Sequence, residues 1–160
     1  MKNWRGIFIL LGLATGMIAC QKSNNNSPYP QISLISFRPD SVSGGNPEDT
    51  AVIFYRFFDG DGDLGVSQKP TNDSYIIVKD SRFSNDSFFY DVPSVDPSLV
   101  DKQKGMEGNS MVAVFASLLP IRADTVHTAK GDTLTLTLYV VDNAGHKSNE
   151  IITPRLLLRP

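Results

Sequence analysis

Residues 58–65 read FDGDGDLG. Asp59, Asp61 and Asp63 stand two apart, with Gly60 and Gly62 between them. Carboxylates at alternate positions of a glycine-rich loop are the material of a calcium site. Calcium takes about six to eight oxygen ligands at roughly 2.3–2.6 Å, and glycine lets the backbone fold tightly around the ion. The same spacing also suits a solvated β-turn whose charges deter edge pairing and aggregation. Three carboxylates so close repel one another, and a turn alone does not require them. The sequence leaves both readings open.

The loop resembles the start of an EF-hand, D-x-D-x-D-G, and then departs from it. Leu64 stands where that loop needs glycine, and Pro70 where it needs its last glutamate. No helices are expected on either side, so an EF-hand is excluded. Further ligands must come from distant sequence. Asp142 and Asn143 close a strand that can end at the same pole as Asp59, which makes Asp142 the expected distant ligand. Glu48 and Asp49 precede the strand entering the loop and belong at the opposite pole.

Other reactive residues are poorly placed for chemistry. His127 and His146 sit on separate expected loops, each more economically a surface residue than half of a shared metal site. The serines lack a G-x-S-x-G setting. Gly105 and Gly108 lack the strand-to-helix context of a phosphate loop. Tyr29, Phe88, Phe89 and Tyr90 have the chemistry to line a carbohydrate or peptide surface, although core packing explains the last three more simply.

The elements that must position the loop are strands. In DTLTLTLYVVD, residues 132–142, Leu134, Leu136, Leu138 and Val140 fall on one face and Thr133, Thr135, Thr137 and Tyr139 on the other. Period two with β-branched partners predicts a half-buried strand with the leucine face inward. DNAGHKS, 142–148, is a turn, and NEIITPRLLL reads as a last strand at an edge, because Pro154 lacks a backbone donor. Strands are also expected at 31–37, 50–59, 74–80 and around Phe88–Tyr90, with 109–119 read as a strand that has a helical alternative. In the strand at 50–59, Ile53, Tyr55 and Phe57 share one face, and Val52, Phe54 and Phe58 share the other with Arg56. With both faces apolar, one should be covered by a loop or a neighbouring chain. Five to seven strands in about 130 residues predict an all-β sandwich of one domain.

The N-terminus carries an address. Lys2 and Arg5 precede an uncharged run from Gly6 to Ala19, too short for a membrane span of about 20 residues but laid out as a signal peptide. The next residue, Cys20, is the chain's only cysteine. MIAC resembles a bacterial lipobox, which implies cleavage after residue 19, lipidation of Cys20 and anchorage to a membrane, facing periplasm or cell surface. Lipidation would consume the thiol, leaving no intramolecular disulfide and no cysteine chemistry. QKSNNNSPYP, 21–30, is too polar to bury much surface and is expected to be a flexible tether. Without residues 1–19 the chain has thirteen Lys plus Arg against seventeen Asp plus Glu, about −4, and no basic patch to suit nucleic acid.

VVDNAGHKSNE resembles the end of immunoglobulin-like or fibronectin type III-like domains of bacterial surface proteins, which close a strand with D-x-A-G-N-x-S; His146 replaces the usual asparagine here. With PDSV at 39–42 and DGDGDLG at 59–65, the chain also resembles small lipoproteins of the Bacteroidetes. That resemblance implies a signal peptide over 1–19, a lipidated cysteine and tether over 20–30, and an immunoglobulin-like sandwich over 31–160. It implies no reaction. The expected function is a non-enzymatic cell-envelope module, structural or binding a glycan, peptide or protein, with calcium held by Asp59, Asp61, Asp63 and Asp142. The alternative is a metal-dependent β-sandwich enzyme.

Overall fold

A computed structural model describes residues 27–66, 73–101 and 104–160. The signal peptide and lipobox expected at 1–20, and tether residues 21–26, lie outside the described residues, as does Pro70.

Among the described residues the fold is all-β apart from one short α-helix and two 3-10 turns. Its strands are β1 (Gln31–Arg38), β2 (Ser41–Ser43), β3 (Thr50–Asp59), β4 (Tyr75–Asp80), β5 (Ser87–Asp91), β6 (Met106–Phe115), β7 (Asp132–Leu134), β8 (Leu136–Val141), β9 (Ile151–Ile152) and β10 (Leu156–Arg159). Strands β1-β3-β6 form one antiparallel sheet, and β5-β4-β8-β9 form a second. Their apolar faces share one core. Ile53, Tyr55 and Val112 come from the first sheet, and Ile76, Val78, Leu138 and Val140 from the second. This is an arrangement of sandwich type, with side chains of alternating residues meeting between two layers. A small third sheet sets β10 antiparallel to β7 and parallel to β2.

The leucine face expected from period two is the core face: Leu134, Leu136, Leu138 and Val140 are all buried. The strand that carries it is nevertheless broken. At Thr135 the chain leaves one sheet for another, because its N–H donates to Ser81 Oγ (2.9 Å) and its carbonyl accepts from Ser81 N (3.1 Å). Those side-chain and loop bonds replace two ladder bonds, so β7 joins the small sheet and β8 the large one. The expected last strand is likewise divided. Pro154 stands between β9 and β10, which lie in different sheets. Residues 106–115 are a strand followed by a short 3-10 turn at Ala116–Leu118, and the helical alternative for 109–119 falls away.

Two elements escape period counting. β2 is three residues long. Helix α1 (Thr125–Lys130) places His127 on a helix where a loop was expected. Asp124 caps it, its carboxylate accepting from Val126 N (3.0 Å) and His127 N (2.9 Å). Six residues hold too little of a helical period to be seen in the sequence, and the cap is the only local signal.

Candidate metal centre

The acidic site begins as a consequence of strand alternation. Along β3 the inward residues are Ala51, Ile53 and Tyr55, and the same face continues two steps later to Asp59 at the strand's end. Along β8 the inward set Leu136, Leu138 and Val140 leads by the same step to Asp142. Two facing sheets thus each end a core face on a carboxylate at one pole. Asp59 is 0% exposed and Asp142 is 1% exposed. Burying an ionised carboxylate is costly unless it is paired or coordinates a metal.

The glycines then turn the chain so that Asp61 and Asp63 come back over this pole. Gly62 and Gly65 take φ of +72° and +73°, which a residue with a Cβ rarely adopts. Leu64, which departs from the EF-hand pattern, is 2% exposed and pins the loop into the core. Val66 N donates to Asp63 O (3.1 Å) and closes the turn.

One carboxylate oxygen from each of Asp59, Asp61, Asp63 and Asp142 lies within 4.8 Å of the others. Oxygens on opposite sides of a calcium ion would be about 4.6–5.2 Å apart. The four residues named from sequence are therefore brought together at a separation that suits one calcium ion. Asp61 faces solvent, Asp63 is half-buried, and the other two are enclosed.

The hydrogen bonds leave room for an ion. Asp59 Oδ2 accepts from Leu64 N (2.8 Å), while its Oδ1 is buried with no partner. Asp63 accepts from the backbone of Ala144, and its Oδ1 is also buried with no partner. Asp142 Oδ1 accepts from His146 N (2.8 Å), and its Oδ2 lies 3.1 Å from His146 Nδ1. Buried polar atoms are nearly always satisfied, so two enclosed carboxylate oxygens without a protein donor suit a cation, a water or a shared proton.

Electrostatics agree with the geometry. Burial, followed by the charges of Asp61 and Asp63, pushes the Asp59 carboxyl up to about 7, against a bond from Leu64 N that favours its ionised form. Burial, followed by the charges of Asp142 and Asp61, pushes Asp63 up to about 6. Without a metal, Asp59 and Asp63 hold protons at a pH where ordinary carboxylates have lost them.

Asn143 was placed at this pole from sequence without a role of its own, and His146 was not placed there. Asn143 Nδ2 donates to Asp63 O (2.9 Å) and to Val66 O, and its Oδ1 accepts from Asp73 N (2.9 Å). It fastens the acidic loop to the β8 turn and to the entry of β4. His146, read as a surface residue, is packed between Asp142 and the Tyr29 ring, whose centroid lies 4.9 Å away. Their signal was adjacency to Asp142 within DNAGH. His127 is held elsewhere, by Asp124 (2.5 Å), so the two histidines do not share a site.

A cavity of about 190 Å³ lies beside the loop, lined by Tyr55, Phe57, Leu64, Val92, Pro93, Val95, Asn109 and Ser110. Its walls are apolar or neutral, and the aspartates are not among them. Comparison with protein-family models and with curated proteins finds no match. The functional reading therefore rests on the site itself.

Proposed function

We propose that this chain is a non-enzymatic, calcium-stabilised module of the bacterial cell envelope, lipid-anchored through Cys20. The observation that carries the calcium reading is the enclosed, unpartnered Oδ1 of Asp59 within a cluster of four aspartates. The role is structural. An ion there ties the loop after β3 to the turn after β8, and so joins the two sheets at one pole. Because Asp59 and Asp142 are enclosed, most of the coordination would come from the protein, as in a site that stabilises rather than turns over substrate. A resident ion would supply the positive charge that the cluster lacks; every other part of the site is made by the chain.

The fold we assign is an immunoglobulin-like, fibronectin type III-like sandwich spanning 31–160. It is supported by three strands, β1-β3-β6, against four, β5-β4-β8-β9, and by the parallel contact of β2 with β10. Such modules present loops and sheet faces to a glycan, a peptide or another protein, and we place this chain in the Bacteroidetes lipoprotein group on its PDSV and DGDGDLG motifs. Fold alone assigns no ligand.

Isothermal titration tests the metal. One calcium ion should bind with Kd of about 10⁻⁴ to 10⁻³ M, the range of extracellular modules. Asp59→Asn should abolish the heat. Asn143→Ala should weaken binding by about 10- to 100-fold, because it removes the group that orients Asp63. No heat from wild type at millimolar calcium would reject the site.

The anchor has a separate test. Cys20→Ser should move the protein from the membrane to the soluble fraction, with loss of the acyl mass from the N-terminal peptide. Stable anchoring takes more than one acyl chain, so loss of the cysteine should be decisive. Full membrane retention of the serine variant, with no change in mass beyond the substitution, would reject lipidation.

A further inference from the structure

We propose that β6 is a docking edge for a second copy of this chain, the two β6 strands pairing antiparallel about a two-fold axis at Met111. This does not rest on the calcium reading. β6 runs for ten residues in unbroken register with β3, and no other described strand pairs with it. Just beyond it, Ala116 N donates to Asp49 O (2.9 Å). Antiparallel ladders alternate, so the N–H and C=O of Glu107, Asn109, Met111, Ala113 and Phe115 point away from β3. Among the described residues no backbone group takes up this row of donors and acceptors, and a row in extended conformation calls for a strand as its partner.

The other long edge of this sheet is blunted. β1 has a bulge between Leu34 and Ser36, and Asn149 occupies its backbone: Oδ1 accepts from Ile32 N (2.8 Å) and Nδ2 donates to Ile32 O (2.9 Å). β6 has no bulge, no proline and no lysine. These are the common devices that keep edges apart.

The side chains and the charge say which strand fits. The residues whose backbone groups are free also carry the outer face. Met111 is 62% exposed and Phe115 49%, next to the exposed Phe54 of β3. This is the apolar second face of the β3 sheet, and the described residues leave it open. Glu107 is the only charge on β6, and Arg56 of the same chain holds it at 2.7 Å. Self-pairing about Met111 sets Met111 against Met111, Asn109 against Ala113, and Glu107 against Phe115. Side chains of one face stay on one face, and no like charges meet. The result is a continuous six-stranded sheet in which two apolar patches become one.

The test is cross-linking of the purified full chain, with the N-terminus the cell leaves on it, by a short bismaleimide. Opposed residues of this pairing have Cα atoms about 5.5 Å apart. Met111→Cys should give a covalent homodimer at least tenfold above the parent chain. Ile152→Cys, equally exposed on the other large sheet, should not. Asn109→Cys mixed with Ala113→Cys should give the mixed dimer in excess of either self-dimer, which fixes the register. Adding Met111→Lys to the Asn109 and Ala113 variants should suppress it by placing two lysines together at the axis. Equal yields at 111 and 152 would overturn the proposal. So would a Met111→Cys adduct with a different protein, in place of the homodimer, when the same reagent is applied to intact cells, which would assign the edge to a foreign strand.

Discussion

Saturating calcium should raise the melting temperature at pH 8 by roughly 5–10 °C. An ion that binds only the folded state stabilises by RT ln(1 + [L]/Kd), about 2.7 kcal/mol at a hundredfold excess over Kd. For a domain of this size each kcal/mol is worth about 2–4 °C, or somewhat more in smaller domains. The pH dependence should then change sign with the metal. Without calcium, Asp59 and Asp63 titrate at about 7 and about 6 in the folded chain, raised by burial and by their acidic neighbours. In the unfolded chain they titrate near 3.9. The folded state therefore binds more protons in between. Its stability is greatest below about pH 4 for these groups, and is lost as pH rises through 6 and 7. With calcium bound the carboxylates are held ionised, and protons compete with the ion. Stability should then rise from pH 5 to pH 8. Melts with chelator and with calcium at about a hundredfold excess over Kd, roughly 10–100 mM, across that range should give slopes of opposite sign. Parallel curves would mean that FDGDGDLG is only a charged turn. Asp61→Asn sharpens the contrast: in chelator it should be neutral or stabilising, since repulsion falls, and in calcium it should lose much of the gain.

Arg82→Met should cost about 3–5 kcal/mol, the largest loss expected from a single change. β4 runs from Tyr75, opposite Val141 near the acidic cluster, to Asp80, opposite Leu136 at the other pole. There Arg82 is 3% exposed at its side chain and bridges two buried carboxylates. It lies 2.6 Å from Asp80 Oδ2 and 2.8 Å from Asp132 Oδ2, and donates to Pro120 O at 2.8 Å. Arg122 reaches the same Asp132 at 2.7 Å. Removing Arg82 leaves Asp80 and Asp132 enclosed with less compensation, and breaking one partner of a buried pair costs far more than the pair is worth. Asp132→Asn should cost less, because Arg82 keeps Asp80. The donors around Asp132, Arg122 first and then Arg82, hold its carboxyl well below the usual range. Its contribution is therefore present above about pH 4 and is lost only as pH falls further. Urea unfolding at pH 7 measures the order of the two variants. The calcium-induced shift should survive Arg82→Met, since the network and the cluster occupy opposite poles. A loss below 1 kcal/mol would show that the network contributes little.

Much of the molecule was legible because its signals are local. Alternation in 132–141 named the core face, and the same period, carried to the end of β3 and one step past Val140 of β8, explains why Asp59 and Asp142 are the buried members of the cluster. The strand at 50–59 was readable as apolar on both faces, and the loop or neighbouring chain expected to cover one of them is not found among the described residues, which leave Phe54 and Met111 exposed. Asp142 was assigned from a turn at the right pole, although it lies far from Asp59 in sequence. Tertiary structure alone decided the rest. Whether 132–142 is one strand or two depends on Ser81, whose hydroxyl diverts the backbone at Thr135. Arg82, Asp132 and Arg122 became a network only when the sheet and the connector around α1 were brought together, and nothing in their spacing announces it. Asn143 acquired its role because its amide meets carbonyls of a loop some eighty residues earlier. Period and spacing report which way a side chain faces along its own strand. They carry no information about which backbone atoms another segment will place in front of it, and in this protein those atoms set how deeply the carboxylates are buried.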